Sequence, residues 1–192
     1  MVELVRKFNI IYPLSNGLRQ FLFDHIKEKK VAKKDLLLKF NQVCGNIYFV
    51  KQGLFRGVYM KDGKEVTSWF MKEGDLVVSV ESFFGQVPSY EKIEALEDSE
   101  VYYISYIELQ HIYRHYTEFN FIGRVLTEQY YALSERRAYS LRMQSATDRY
   151  CYMLKHHADL LRRVPAVLIA SHLGITAETF SRIKAKIRIG HS

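Results

Sequence analysis

Cysteine is nearly absent from this sequence: Cys44 and Cys151 are the only two among 192 residues. Two thiols this far apart exclude a disulfide framework and a four-thiolate metal or iron–sulfur site, and both read as reduced, buried thiols. Histidine is missing between His25 and His111, and arginine between Arg56 and Arg114. No run of about 18 apolar residues is present, so no membrane span or membrane partner is expected. The opening "MVELVRKFNIIYPL" lacks the basic-then-apolar layout of a signal peptide, and a cytoplasmic protein is expected. No Gly-rich phosphate loop, Ser or Cys nucleophile motif or pair of carboxylates stands out, so no catalytic residue is assigned and the chain does not read as an enzyme.

What is abundant is positive charge, and its location is informative. The chain carries 28 Lys and Arg against 21 Asp and Glu, a net +7. From 135 to 192 there are eleven Lys and Arg against four acids, Glu135, Asp148, Asp159 and Glu178, so this segment alone carries +7 (11 − 4). Residues 1 to 134 hold 17 of each sign and sum to zero. A neutral front and a basic tail point to phosphate backbone as the partner of the tail, against the plainer reading of a solvated basic face.

The first thirty or so residues read as helical, with Leu18, Phe21, Leu22, His25 and Ile26 along one side of "LRQFLFDHI". From about 35 the pattern changes to short segments rich in β-branched and aromatic residues: "LLLKF", "NIYFVKQG", "LFRGVYM", "EVTSWFM", "LVVSV" and "EVYYIS". Turn signals at Gly53, Asp62-Gly63 and Gly74-Asp75 separate them, and Asp-Gly predicts a two-residue hairpin turn inside "YMKDGKEVTSWF". Strands of this length and spacing predict a small β-sandwich or roll. A metal enzyme on such a roll would need histidines on its strands, where none occurs. His111 and His115, four apart with Glu108 and Glu118 nearby, could ligate a metal, but a solvent-facing helix is the simpler reading; no metal or cofactor is expected. After about 106 helix formers dominate, and Phe119, Ile122, Leu126 and Leu133 form an apolar stripe. Either the β domain covers that stripe or a second subunit does; the second is expected. Beyond 144 lies a small helical domain in which Ala146, Tyr150, Met153 and Leu154 are expected to face the core.

The segment "IASHLGITAETFSRI" places a glycine inside an otherwise helical apolar pattern. Relative to Gly174, apolar residues fall at Ile169, Leu173, Ile175, Phe180 and Ile183, with small Ala170 four before. That spacing suits two short helices around a tight turn, Gly174 supplying the positive φ and Thr176 the N-cap. The unit reads as a helix-turn-helix, with an ordinary helical hairpin as the alternative. With Phe180 and Ile183 turned inward, Ala177, Glu178, Ser181 and Arg182 share the outer face. Arg182 suits guanine O6 and N7, and Glu178 suits cytosine N4 or merely complements the helix dipole. Thr176, Thr179 and Ser181 suit phosphate or thymine, while Lys184, Lys186 and Arg188 extend the positive charge.

A β-rich front, a long helix and "SATDRY...LLRRVPAVLIASHLGITAETFSRI" together resemble the cyclic-AMP receptor protein and fumarate–nitrate regulator (Crp/Fnr) family. The likeness rests on Ala146 and Arg149 and on Glu178, Thr179, Ser181 and Arg182. It implies an α+β chain: a cyclic-nucleotide-binding-like β-roll sensor with N-terminal helices over 1–116, a dimerisation helix over 117–143 and a winged-helix type of helix-turn-helix domain over 144–192. It further implies a homodimer on a palindromic promoter site, with double-stranded DNA, RNA polymerase and an unidentified small-molecule effector as partners. The family's nucleotide cassette is not matched. Val78-Ser79 stand where Gly-Glu is expected and Ser89-Tyr90 where Arg-Ser is expected, so control by cyclic AMP is not expected. An effector pocket is placed at Val78, Ser79, Phe83, Phe84, Ser89 and Tyr90, suited to an apolar or aromatic ligand or to none. The competing reading is a small-molecule-binding β-roll protein or enzyme whose helical tail serves protein contacts.

Overall fold

Each short apolar run becomes a strand only where a neighbour can cover one of its faces, and two sheets follow from that. The structure, a computed structural model, describes residues 1–189, the side chains of Arg188 and Ile189 excepted. Helices α1 (Val2–Ile11) and α2 (Asn16–His25) lead into strands β1 (Lys27–Val31), β2 (Leu36–Leu38), β3 (Asn46–Gln52), β4 (Leu54–Lys61), β5 (Lys64–Lys72) and β6 (Leu76–Val77). Helix α3 (Val80–Gly85) interrupts before β7 (Glu91–Ala95) and β8 (Ser99–Ser105). Then follow α4 (Tyr106–His115), α5 (Thr117–Met143), α6 (Ala146–His156), α7 (Leu160–Arg163), α8 (Ala166–His172) and α9 (Ala177–Ile189). Among the described residues the strands form two four-stranded sheets, ordered β1-β8-β3-β6 and β2-β7-β4-β5. None of the helices is long and apolar enough to cross a membrane among the described residues.

The β4–β5 turn has positive φ at both Asp62 (51°) and Gly63 (73°), as the Asp-Gly pair predicts. Three departures from the sequence reading have local causes. Strand β1, "KEKKV", has four exposed residues and pairs only with β8, so it is a charged edge strand without apolar alternation. Strand β7 alternates Glu91, Ile93 and Ala95 inward with Lys92 and Glu94 outward, carboxylates masking its period. "LVVSV" is strand only through Val77, because Val80 begins α3.

The chain divides into two compact units. The first comprises 1–58 and 70–130. In it the register pairs Phe49 with both Tyr102 and Leu76, and Ile47 with Ile104, so these side chains share one face of their sheet. Val50, Val77 and Val101 point to the opposite face and are fully buried. Phe119, Ile122 and Leu126 of α5 are also buried here, Phe119 meeting the ring of Phe8 edge-on at 5.4 Å. The expectation that this stripe meets a second chain is corrected for those three residues, which the protomer's own α1 and sheet region already enclose. Leu133 is different: it is 53% exposed.

The second unit comprises 59–69 and 131 onward, so the tip of the β4–β5 hairpin belongs with the helices. Ser171 Oγ accepts from Thr67 N–H at 2.9 Å, and His172 donates its Nδ1–H to Ser68 O at 3.0 Å. Tyr150, Met153, Leu160, Val164, Ile169, Ala170, Leu173, Phe180 and Ile183 are buried. Leu154 is exposed rather than in that core, and Cys151 is exposed where a buried thiol is expected; only Cys44 is buried.

Candidate nucleic-acid interface

The site begins with the residues that start its helices. Ser145 caps α6, its hydroxyl accepting from Asp148 N–H at 3.1 Å while the Asp148 carboxylate accepts from Ser145 N–H and O–H. This reciprocal pairing satisfies donors the first turn leaves unpaired. It also orients Arg149 one residue later. Arg149 Nε donates to Leu173 O at 2.9 Å and Nη1 to Gln144 O at 2.6 Å, so one guanidinium ties the end of α8 to the start of α6. Pro165 stands as the N-cap of α8, where a missing N–H costs nothing.

At the end of α8 the chain reverses. Gly174 has φ +66°, and Gly174 N–H and Ile175 N–H donate back to Ser171 O and Ala170 O at 3.0 Å each. Those bonds close the helix on a left-handed residue, the conformation glycine takes without a Cβ penalty. Thr176 then caps α9, accepting from Thr179 N–H at 3.1 Å, and its own hydroxyl donates to Thr179 Oγ1 at 3.0 Å. The two threonine hydroxyls are thus already engaged with each other.

Phe180 and Ile183 anchor α9, Phe180 packing edge-on against Tyr150 at 5.4 Å. Burying that phenyl stabilises the unit by roughly 1.5–3 kcal/mol and sets the rotation of the helix. Glu178, Ser181 and Arg182 are consequently exposed, with Arg182 one turn beyond Glu178. Ala177 and Lys184 are exposed on one flank and Lys186 on the other. Arg188 also falls in α9, its side chain outside the described residues.

The segment singled out as an effector pocket divides. Ser79, Phe83 and Ser89 are buried, Val78 is half-buried, and Phe84 and Tyr90 are exposed. Ser79 Oγ and Ser89 Oγ are hydrogen-bonded at 3.0 Å, and Ser89 Oγ also donates to Glu91 O and accepts from Glu91 N–H. Two of the serines placed in the expected effector pocket therefore satisfy each other. Arg56, the nearest preceding arginine, donates Nε and Nη2 to Glu94 Oε2 at 2.9 and 2.6 Å. Elsewhere in the front unit Phe21, His25, His111 and His115 stack, His111 and His115 at 4.0 Å between centroids. Among the described residues no group of three or more His, Cys, Asp or Glu is placed to hold a metal ion.

The residue that sequence reasoning valued for its motif but gave no role is Arg149. Its signal was present in the spacing of Ala146 and Arg149, but the carbonyls it holds come from turns whose geometry a sequence does not display.

Comparisons with known proteins agree with this architecture. Residues 28–116 match the cyclic nucleotide-binding domain family. A transcriptional regulator assigned to the Crp/Fnr family from Eubacterium rectale superposes with a TM-score of 0.73 at 18% identity, covering 92% of this chain and 85% of that one. The c-di-GMP responsive global regulator CLP of Xanthomonas campestris gives 0.71 at 18% identity, covering 92% and 93%. A CooA mutant from Carboxydothermus hydrogenoformans gives 0.70 at 19% identity, covering 94% and 83%. No curated protein matches the chain by sequence. Residues 28–116 thus have the fold of a cyclic nucleotide-binding domain, in a chain that shares its fold with a regulator assigned to the Crp/Fnr family.

Proposed function

We propose that this protein is a sequence-specific DNA-binding transcriptional regulator, acting as a homodimer on a palindromic promoter site and not controlled by cyclic AMP. The observation that carries the reading is the outer face of α9. Glu178, Ser181 and Arg182 are exposed together on a helix whose rotation is set by buried Phe180 and Ile183, in the segment that holds the chain's whole net charge of +7. In this reading α8, Gly174 and α9 are a helix-turn-helix. Arg182 pairs with guanine, Glu178 accepts from cytosine, and Lys184 and Lys186 neutralise phosphates. Thr176 and Thr179 shape the start of the helix and reach the backbone with what their mutual bond leaves over.

The homodimer reading draws support from α5. Along the second part of α5, Tyr131, Leu133, Tyr139, Leu141 and Met143 are large apolar side chains left exposed. A second α5 covers those that share one side of the helix, Leu133, Tyr139 and Met143, doubling the reading helices for two half-sites. RNA polymerase is the further partner that a promoter-bound regulator engages. Cyclic AMP is disfavoured because the Ser79–Ser89 pair offers no cation and Arg56 is committed to Glu94, so a buried phosphate would lose water without gaining an opposite charge.

Selection of bound duplexes from a random library, followed by equilibrium sedimentation on the selected site, tests this. The expected result is an inverted repeat with half-site centres about 34 Å apart, bound by two chains. A monomer on an asymmetric site, or no salt-dependent DNA binding, would return the helical tail to the role of a protein-contact surface.

A further inference from the structure

The outer face of the β3–β8 sheet does not close completely under its helices. A cavity of about 60 Å³ lies there, bounded by Leu4 and Phe8 of α1, Phe49 of β3, Ile112 of α4, and Phe119 and Leu126 of α5 among others. Its walls are almost wholly apolar. Protein interiors seldom leave a void larger than a water molecule. A water placed here would give up hydrogen bonds and find none, and no buried side-chain nitrogen or oxygen among the described residues lacks a partner that such a water could serve. An apolar occupant loses nothing on entering.

We propose that this cavity binds a small, neutral, apolar molecule of a few heavy atoms. Size sets the class: a cavity of about 150 Å³ takes benzene, so this one takes less, on the scale of a short hydrocarbon. The site is separate from the Ser79–Ser89 segment in chemistry and place. Of its sheet residues, Ile47, Phe49, Leu76, Tyr102 and Ile104 lie on the face opposite Val50, Val77 and Val101. On one side the cavity is bounded by α1, a ten-residue helix whose Leu4 and Phe8 are buried while its Val2 and Ile10 remain exposed. Phe8 of α1 and Phe119 of α5 both line the cavity and meet edge-on, so an occupant touches both helices.

Xenon is the probe, and the full chain is the sample. Methyl NMR under increasing xenon pressure is expected to show saturable shifts at Leu4, Ile112 and Leu126, with Leu54 and Ile93 of the other sheet unmoved. In Leu126→Phe the cavity is filled and the shifts are lost. In Leu126→Ala it is enlarged, xenon still binds, and benzene becomes a ligand. If only the alanine variant folds, retention of xenon with the gain of benzene still decides for the site. Weak, non-saturating shifts spread over the whole wild-type protein would overturn the proposal, as would a well-folded Leu126→Phe that responds like wild type.

Discussion

Arg149 is the residue whose replacement separates a structural role from a DNA-contacting one. Its guanidinium donates to Leu173 O at 2.9 Å and to Gln144 O at 2.6 Å, the two carbonyls that end α8 and precede α6. Arg149→Met keeps the length of the aliphatic stem and removes both bonds. A hydrogen bond from a charged donor contributes roughly 1.5–3 kcal/mol. Arg149 is half-buried, so water recovers part of that for each carbonyl, and a net loss of about 2–3 kcal/mol is expected for the pair. For a chain of this length each kcal/mol lowers Tm by roughly 2–4 °C, giving a drop of about 4–12 °C. Thermal unfolding followed by circular dichroism reads the loss. Binding to the selected duplex across a salt series reads the other possibility. Because Arg149 is turned to the protein's own carbonyls, the slope of log affinity against log salt should stay unchanged. An unaltered Tm with a slope lower by roughly one per subunit would show that Arg149 grips a phosphate and that the turn is held by something else.

Three further outcomes follow from single residues. Gly174→Ala should cost about 1–2 kcal/mol through its φ of +66° alone, since an added Cβ would meet only Leu141 Cδ2 at an ordinary 3.5 Å; chemical denaturation measures it, and an unchanged midpoint would mean the turn tolerates a side chain. Burial, with Arg137 and then His157 adding positive charge, holds the His172 imidazole down at about 4, so the folded unit keeps it neutral while the unfolded chain protonates near 6.5. Stability from this source is complete above pH 6.5 and lost progressively down to about 4, a decline on the order of 2–3 kcal/mol that His172→Gln should lack; identical pH profiles for the two proteins would count against it. Calorimetry with cyclic AMP or cyclic GMP should show no binding, and micromolar affinity for either would require a cation the Ser79–Ser89 pair does not provide.

Features governed by a few adjacent residues were legible without coordinates. The Asp62-Gly63 turn, the positive φ at Gly174 and the Thr176 cap are all local, fixed by sterics and one hydrogen bond. Phe180 and Ile183 could be placed inward because their spacing matches one helical face. What was not legible depends on partners distant in the chain. Strand β1 is stabilised by pairing with β8, 68 to 76 residues on (Val31 with Ser99, Lys27 with Tyr103), and its lysines hide it. The α5 stripe could be seen as apolar, but its spacing is the same whether α1 and the sheet or a second chain covers it; only the fold shows that cover passes from the protomer at Leu126 to solvent at Leu133. The mutual bond of Ser79 and Ser89 likewise depends on the path of α3 and the turn between them, which brings the two hydroxyls together.

The most direct measurement compares Arg182→Ala with Lys186→Ala on the selected duplex and on a scrambled one over a salt series. Both side chains are exposed on α9, so neither change should disturb the fold. Arg182→Ala is expected to cost about 1–3 kcal/mol on the selected site and to relax preference at one base pair, with little effect on the scrambled duplex. Lys186→Ala is expected to weaken both duplexes alike and to lower the salt slope by roughly one per subunit. Equal, sequence-independent losses from the two variants would contradict base reading by Arg182, and the absence of any loss would contradict DNA as the ligand of α9.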